Sequence, residues 1–205
     1  MARPREFNEE AVLDTAIKCF RMRGYEGTSV RDLAARMKLA GPSLYNAFSD
    51  KRTLFRRALE RYMQQNARAY IAELESTLPP KEAIHAFVKL IVKHSLKDPD
   101  RVGCLLVNSA LEIAPHDREI GEDIADKLGE IETFYRRMIT AAQVDGTVPH
   151  ERDPADLARL LLGITLGIRV LARSKPNRKL LEGMARPALA LLDAPRPAKK
   201  RRKSL

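Results

Sequence analysis

The sequence predicts an all-α fold of about nine helices. Three observations carry that prediction. Apolar residues recur at steps of three and four; from Ile120 through Ile124, Leu128, Ile131, Tyr135, Met138 and Ala142 the steps are 4, 4, 3, 4, 3 and 4. No run alternates β-branched and polar residues as a half-buried strand does. Helix-starting and helix-ending residues stand where the periodic segments begin and stop, among them Asn8, Gly24, Ser29, Pro42, Asp153 and Pro154.

After a short basic arm with Arg3 and Arg5, Asn8 opens a helix that runs to about Arg23. Its apolar face is Val12 or Leu13, Ala16, Ile17 and Phe20. Thr28 or Ser29 caps a second helix. Ser29 and Asp32 have the spacing of a capping box, and Val30, Leu33, Ala34 and Met37 face inward. This helix is too short to stand alone and must pack on its neighbours. Lys38 to Gly41 form a turn. Pro42 opens a third helix, where its missing N–H costs nothing. Leu44, Ala47 and Phe48 supply its buried side, which leaves Ser43, Tyr45 and Asn46 outside. Ser49 or Asp50 caps the next helix, with Lys51 and Arg52 in its first turn. Cations there oppose the helix dipole, and a phosphate at the same spot would offset this. The stretch 28–55 therefore reads as a helix-turn-helix with an outward polar face.

Downstream, a long helix continues through Leu74 to Pro79-Pro80. Further helices are expected from about Pro80 to Leu96, from Val102 to Ala114, and along the Ile120–Ala142 periodicity. Asp153 and Pro154 open a helix to about residue 172 that is apolar nearly all round, with Gly163 and Gly167 permitting close approach. A last helix spans about 177–192. One chain has difficulty covering the helix at 154–172. A two-fold homodimer in which 154–192 of each copy form a four-helix bundle would cover it.

Charge divides the chain. The formal net charge is +10. Residues 1–70 carry 14 Lys/Arg against 8 Asp/Glu, residues 71–194 carry 17 against 19, and residues 195–205 carry six and none. A basic segment joined to a near-neutral one fits a nucleic-acid module attached to a second unit. Lys199 to Lys203 end a Pro-rich tail, 194–205, expected to be disordered. Cys19 and Cys104 make no disulfide framework, and the N-terminus has no signal-peptide core, which fits the cytoplasm. The most apolar stretch, Leu160 to Ile168, is too short for a membrane span. His85, His94, His116 and His150 lack metal-ligand spacing, and there is no phosphate-binding Gly loop or nucleophile elbow. No catalytic residue, metal or cofactor is expected.

These residues carry a resemblance. Ala16, Phe20 and Gly24-Tyr25, then Thr28 to Ala34, then Ser43-Leu44-Tyr45 and Phe48, then Lys51 and Leu54-Phe55 together resemble the DNA-binding domain of the tetracycline-repressor (TetR) family of bacterial transcription regulators. The resemblance implies a DNA-binding domain at 1–52 and an effector-binding and dimerisation domain at 53–193. It implies that Thr28 and Arg31 lie near the DNA backbone, that Gly41, Pro42, Ser43 and Asn46 lie on the recognition helix in the major groove, and that Tyr45 and Lys51 hold phosphates. Arg3 and Arg5 would reach along the backbone or into the minor groove. The turn departs from the family pattern: Lys38-Leu39-Ala40-Gly41-Pro42 has Ala40 where a serine cap is common.

The implied mechanism is a two-state dimer on a palindromic double-stranded DNA operator, released when a small molecule occupies the C-terminal domain. Candidates for the pocket lining are Tyr62, Phe87, Ile91, His94, Cys104, Asn108, Glu112, Tyr135 and Met138. Cys104 stands at a helix start, where a thiolate is favoured. Its surroundings resemble a stretch of family branches that sense reactive electrophiles or unsaturated acids, so a thiol- or electrophile-sensing regulator acting through Cys104 is an alternative. A basic architectural DNA-binding protein without effector is another.

Overall fold

Most helices begin at a side chain that replaces a missing backbone partner. The computed structural model describes residues 8–193; Arg3, Arg5 and the basic tail lie outside the described residues. Asn8 accepts from the Ala11 N–H ahead of α1, Glu9–Arg23. Ser29 and Asp32 form a reciprocal capping box ahead of α2, Val30–Met37. Asp50 accepts from the Thr53 N–H ahead of α4, Lys51–Met63. Asp117, Asp153 and Asn177 do the same for α8, Arg118–Val144, α9, Pro154–Ser174, and α10, Arg178–Ala190. These caps satisfy donors that the first helical turn leaves open. The exception among the short helices of the N-terminal unit is α3, Gly41–Phe48. Ala40 precedes it in extended backbone and has no side chain to cap with.

The long helix after Asp50 is interrupted. A π-helical turn, Gln64–Arg68, joins α4 to α5, Ala69–Thr77. Asn66 Nδ2 donates to the Tyr62 carbonyl at 2.8 Å, satisfying an oxygen beside the altered ladder. α6 is Pro80–Leu96. α7 spans Leu105–Glu112, shorter than the helix expected from Val102 to Ala114. Arg101 and Gly103 have φ of 50° and 74°, so the chain turns left-handed before it becomes helical, and Cys104 caps α7 rather than lying in it. Among the described residues there are thus ten α-helices and no strand. They make nine rods if α4 and α5 count as one.

Leu33, Leu44 and Phe48 pack with Phe20 and Phe55 to close a three-helix unit of α1–α3 on α4. Phe20 and Tyr25 both meet Phe55 edge-on, at 5.2 and 5.1 Å. Phe87, Phe134 and Tyr135 form a second aromatic cluster between α6 and α8. α9 is packed by α6, α8 and α10. The close approach at Gly167 is made by this chain's own α10, since a Cβ there would stand 3.0 Å from Met184 Cε. Gly163 has nothing near it. With Leu160 and Val170, 40% and 44% exposed, it leaves a small apolar stripe on the outer side of α9.

Candidate nucleic-acid interface and the cavity behind it

The outer surface of α2 and α3 follows from the helical period. Leu33, Leu44 and Phe48 take the inside, so Arg31, Arg36, Lys38, Pro42, Tyr45 and Asn46 are exposed. Gly41 and Ser43 are half-buried at the edge. No acidic residue occurs between Asp32 and Asp50. Arg31, Arg36 and Lys38 make no ion pair with any described residue. Exposed cations without local partners are available to phosphates. Tyr45 projects an aromatic hydroxyl from the same face, 51% exposed.

Three of the expected positions make contacts within the chain. Thr28 is fully buried; its hydroxyl donates to the Gly24 carbonyl at 2.7 Å, so it ties α2 to α1 instead of facing outward. Lys51 lies over the Tyr25 ring with Nζ 4.1 Å from the centroid, which holds its charge at the start of α4. Arg52, read from sequence as a second phosphate cation, turns inward. It donates to both carboxylate oxygens of Asp117 at 2.9 and 2.8 Å and pairs with Glu119. That pairing holds the Asp117 carboxyl below the usual carboxylate range, aided by the Ile120 N–H.

Arg52 belongs to a seam between the N-terminal unit and the rest. Arg56 pairs with Asp123. Glu112 accepts from the Glu26 N–H at 3.0 Å, while Gly24, at φ 76°, leaves the space in which the Glu112 carboxylate sits. Arg21 donates from Nε and an Nη to the Gly103 carbonyl, at 2.9 and 2.7 Å. The Gly103 N–H donates to Asp98, which also lies 3.9 Å from Arg21. Residues 98–104 are therefore knotted to α1. Nothing in the local pattern announces the contacts across the seam, because their partners lie 65 to 86 residues apart.

Behind the knot is a cavity of about 50 Å³. Of the residues expected to line a pocket, Tyr62, Phe87, Ile91, His94 and Cys104 come together there. Asn108, Glu112, Tyr135 and Met138 do not. Asn108 donates to the Val102 carbonyl, bracing the knot. Glu112 serves the seam. Tyr135 is wholly buried, its hydroxyl 2.7 Å from Thr165 Oγ1. Met138 packs half-buried against the core. Helical period brings apolar and polar positions inward alike, and cannot say which meet a void. The cavity adds Tyr70 and Arg169, which sequence reading missed. Burial, then Arg169, lowers the His94 pKa, and burial with the neighbouring Cys104 thiol raises that of Tyr62.

Among the described residues no helix is long and apolar enough to cross a membrane. Comparison with known proteins agrees with this geometry at both ends. Residues 12–58 match the model for bacterial regulatory proteins of the tetR family, and residues 80–187 match the tetracyclin repressor-like C-terminal domain. The chain is 32% identical to the HTH-type transcriptional regulator YezE of Bacillus subtilis over 94% of this chain and 100% of that one. It is 28% identical to the HTH-type transcriptional repressor ComR of Escherichia coli over 92% and 90%. A solved structure of CifR, a TetR family regulator with substituted cysteines bound to 26 bp double-strand operator DNA, superposes with a TM-score of 0.83 at 29% identity, covering 93% of this chain and 100% of that one.

Proposed function

The chain belongs to the tetR family of bacterial regulatory proteins, and from that premise we propose that it is a cytoplasmic, ligand-responsive repressor released from a palindromic operator by a small molecule. That it is a DNA-binding transcriptional regulator, and not an enzyme, follows from the family. The operator, the release and the repression are the proposal.

One observation supports it above the others: a single residue step separates the anchor of α1 from the cavity wall. Arg21 of α1 is bound to the Gly103 carbonyl, and the next residue, Cys104, lines the cavity. A molecule that displaces Cys104 must move Gly103, and so the hold on α1. Two recognition helices fit successive major grooves only at a spacing of about 34 Å. A change in that hold alters the spacing and lowers DNA affinity by linkage. The exposed stripe of Leu160, Gly163 and Val170 supports a homodimer through 154–192. A footprint over upstream DNA is the test. A discrete palindromic site supports the repressor, whereas uniform coating supports an architectural protein.

The position of Cys104 also supports a second reading, in which thiol modification by an electrophile is the signal. If Cys104→Ser protein still left DNA in response to thiol-reactive compounds as readily as wild type, that reading would be excluded.

A further inference from the structure

We infer that the cavity among α4, α6, α7 and α9 takes a short-chain carboxylate, held by the guanidinium of Arg169; this rests on the cavity being the effector site. Arg169 lies half-buried in the lining, which contains no Asp or Glu. It makes no hydrogen bond or ion pair with any described residue. Several other half-buried arginines between helices are answered by carboxylates: Arg52 by Asp117, Arg61 by Asp14, Arg68 by Glu60 and Glu130. An arginine cannot shed its proton, and a cation drawn partly out of water without a partner is costly. The missing partner is supplied by a ligand.

The cavity's surroundings have one sign. The charges acting on His94 are Arg169, Lys93 and Lys97, with no anion among them. The planar guanidinium matches a carboxylate through two parallel hydrogen bonds, and the Tyr62 hydroxyl and Cys104 thiol stand in the same wall. Phe87, Leu90, Ile91 and Leu166 make the remainder apolar, suited to an alkyl tail. At ~10–15 Å³ for each water-sized group, the space admits roughly three to five heavy atoms. The carboxylate group takes three of these, which leaves at most about two carbons for the tail.

The test is calorimetric titration of the full chain with acetate and propionate, each against its neutral amide. The acids are expected to bind, the amides and the Arg169→Gln protein to bind about tenfold more weakly or worse. Amides binding as well as acids, or no acid binding, would overturn the inference; the first comparison needs no variant. The same ligands are then added to protein on its footprinted DNA. Carboxylate binding that depends on Arg169 yet leaves DNA affinity unchanged upholds the carboxylate site and removes the effector reading. Release by amides as effective as release by acids retains the effector reading and removes the carboxylate.

Discussion

The Arg21 guanidinium and the Gly103 carbonyl are joined by two hydrogen bonds, 2.9 and 2.7 Å long, between residues 82 apart in sequence. The bond spans the seam between the DNA-facing unit and the cavity wall. Arg21→Gln is expected to cost about 1 kcal/mol in urea unfolding, since a partly exposed charge-assisted bond is lost. It is also expected to weaken the effect of ligand on DNA affinity while leaving ligand binding itself intact. Equal ligand-induced release in wild type and variant would refute the role of this contact in coupling.

Tyr45 and Asn46 share the exposed face of α3 but are expected to differ in effect. Tyr45→Ala should weaken binding to operator and random duplex alike, as a lost phosphate contact does. Asn46→Ala should relax preference at one base position by about 1–3 kcal/mol. Competition against a panel of single-base operator variants separates the two patterns.

Ala40→Ser is expected to stabilise the protein. Ala40 already has the extended backbone of a cap, φ −68° and ψ 140°, and lacks only the oxygen. A new hydroxyl acceptor is worth about 0.5–1 kcal/mol, read as a rise in unfolding midpoint. No gain would mean that Gly41 and Pro42 already hold the turn.

Gly24→Ala is expected to destabilise by about 1–3 kcal/mol. Its φ of 76° disfavours a side chain, and a Cβ would stand 2.5 Å from a Glu112 carboxylate oxygen. Gly24→Ala in a Glu112→Ala background removes the clash but not the backbone strain. The double variant should therefore recover only part of the loss.

Stability should fall with acid in two windows. His85 and His94 have pKa values lowered mainly by burial. The unfolded chain therefore takes up protons first as pH drops below 6.5, and stability declines until the folded values are crossed. Asp14 and Glu60 are held low by Arg61 and Arg68, so their contribution is present above their ordinary values of 3.8 and 4.5 and is lost below them. His94→Gln should shrink the first window, leaving the part due to His85, and Arg61→Gln should shrink the second, leaving the part due to Glu60, in denaturant titrations at stepped pH.

What the sequence discloses of this molecule is local. Asn8, Ser29, Asp50 and Asp153 are legible as caps because a cap acts on a donor within three residues. The outward face of α3 is legible because its inner face is apolar at helical spacing. Thr28 misleads, since a threonine beside a cap can donate back to the preceding helix as easily as it can face solvent. Arg52 misleads because its acidic partner is 65 residues away. Arg169 has the look of an ordinary surface cation in an apolar helix; only the packing of α4, α6 and α7 around it encloses it.

The π turn at Gln64–Arg68 holds one residue more than an α turn would. Its neighbours on either side, Tyr62 and Tyr70, still both line the cavity. The extra residue thus leaves the two ends of the helix in phase. Removing a single residue there would leave both ends in phase and erase the bulge. The DNA-facing unit would keep its orientation on the rod, and the part of the cavity wall supplied by Ala67 would be redrawn. The length of this one turn can thus redraw the cavity wall without turning the N-terminal unit on its rod.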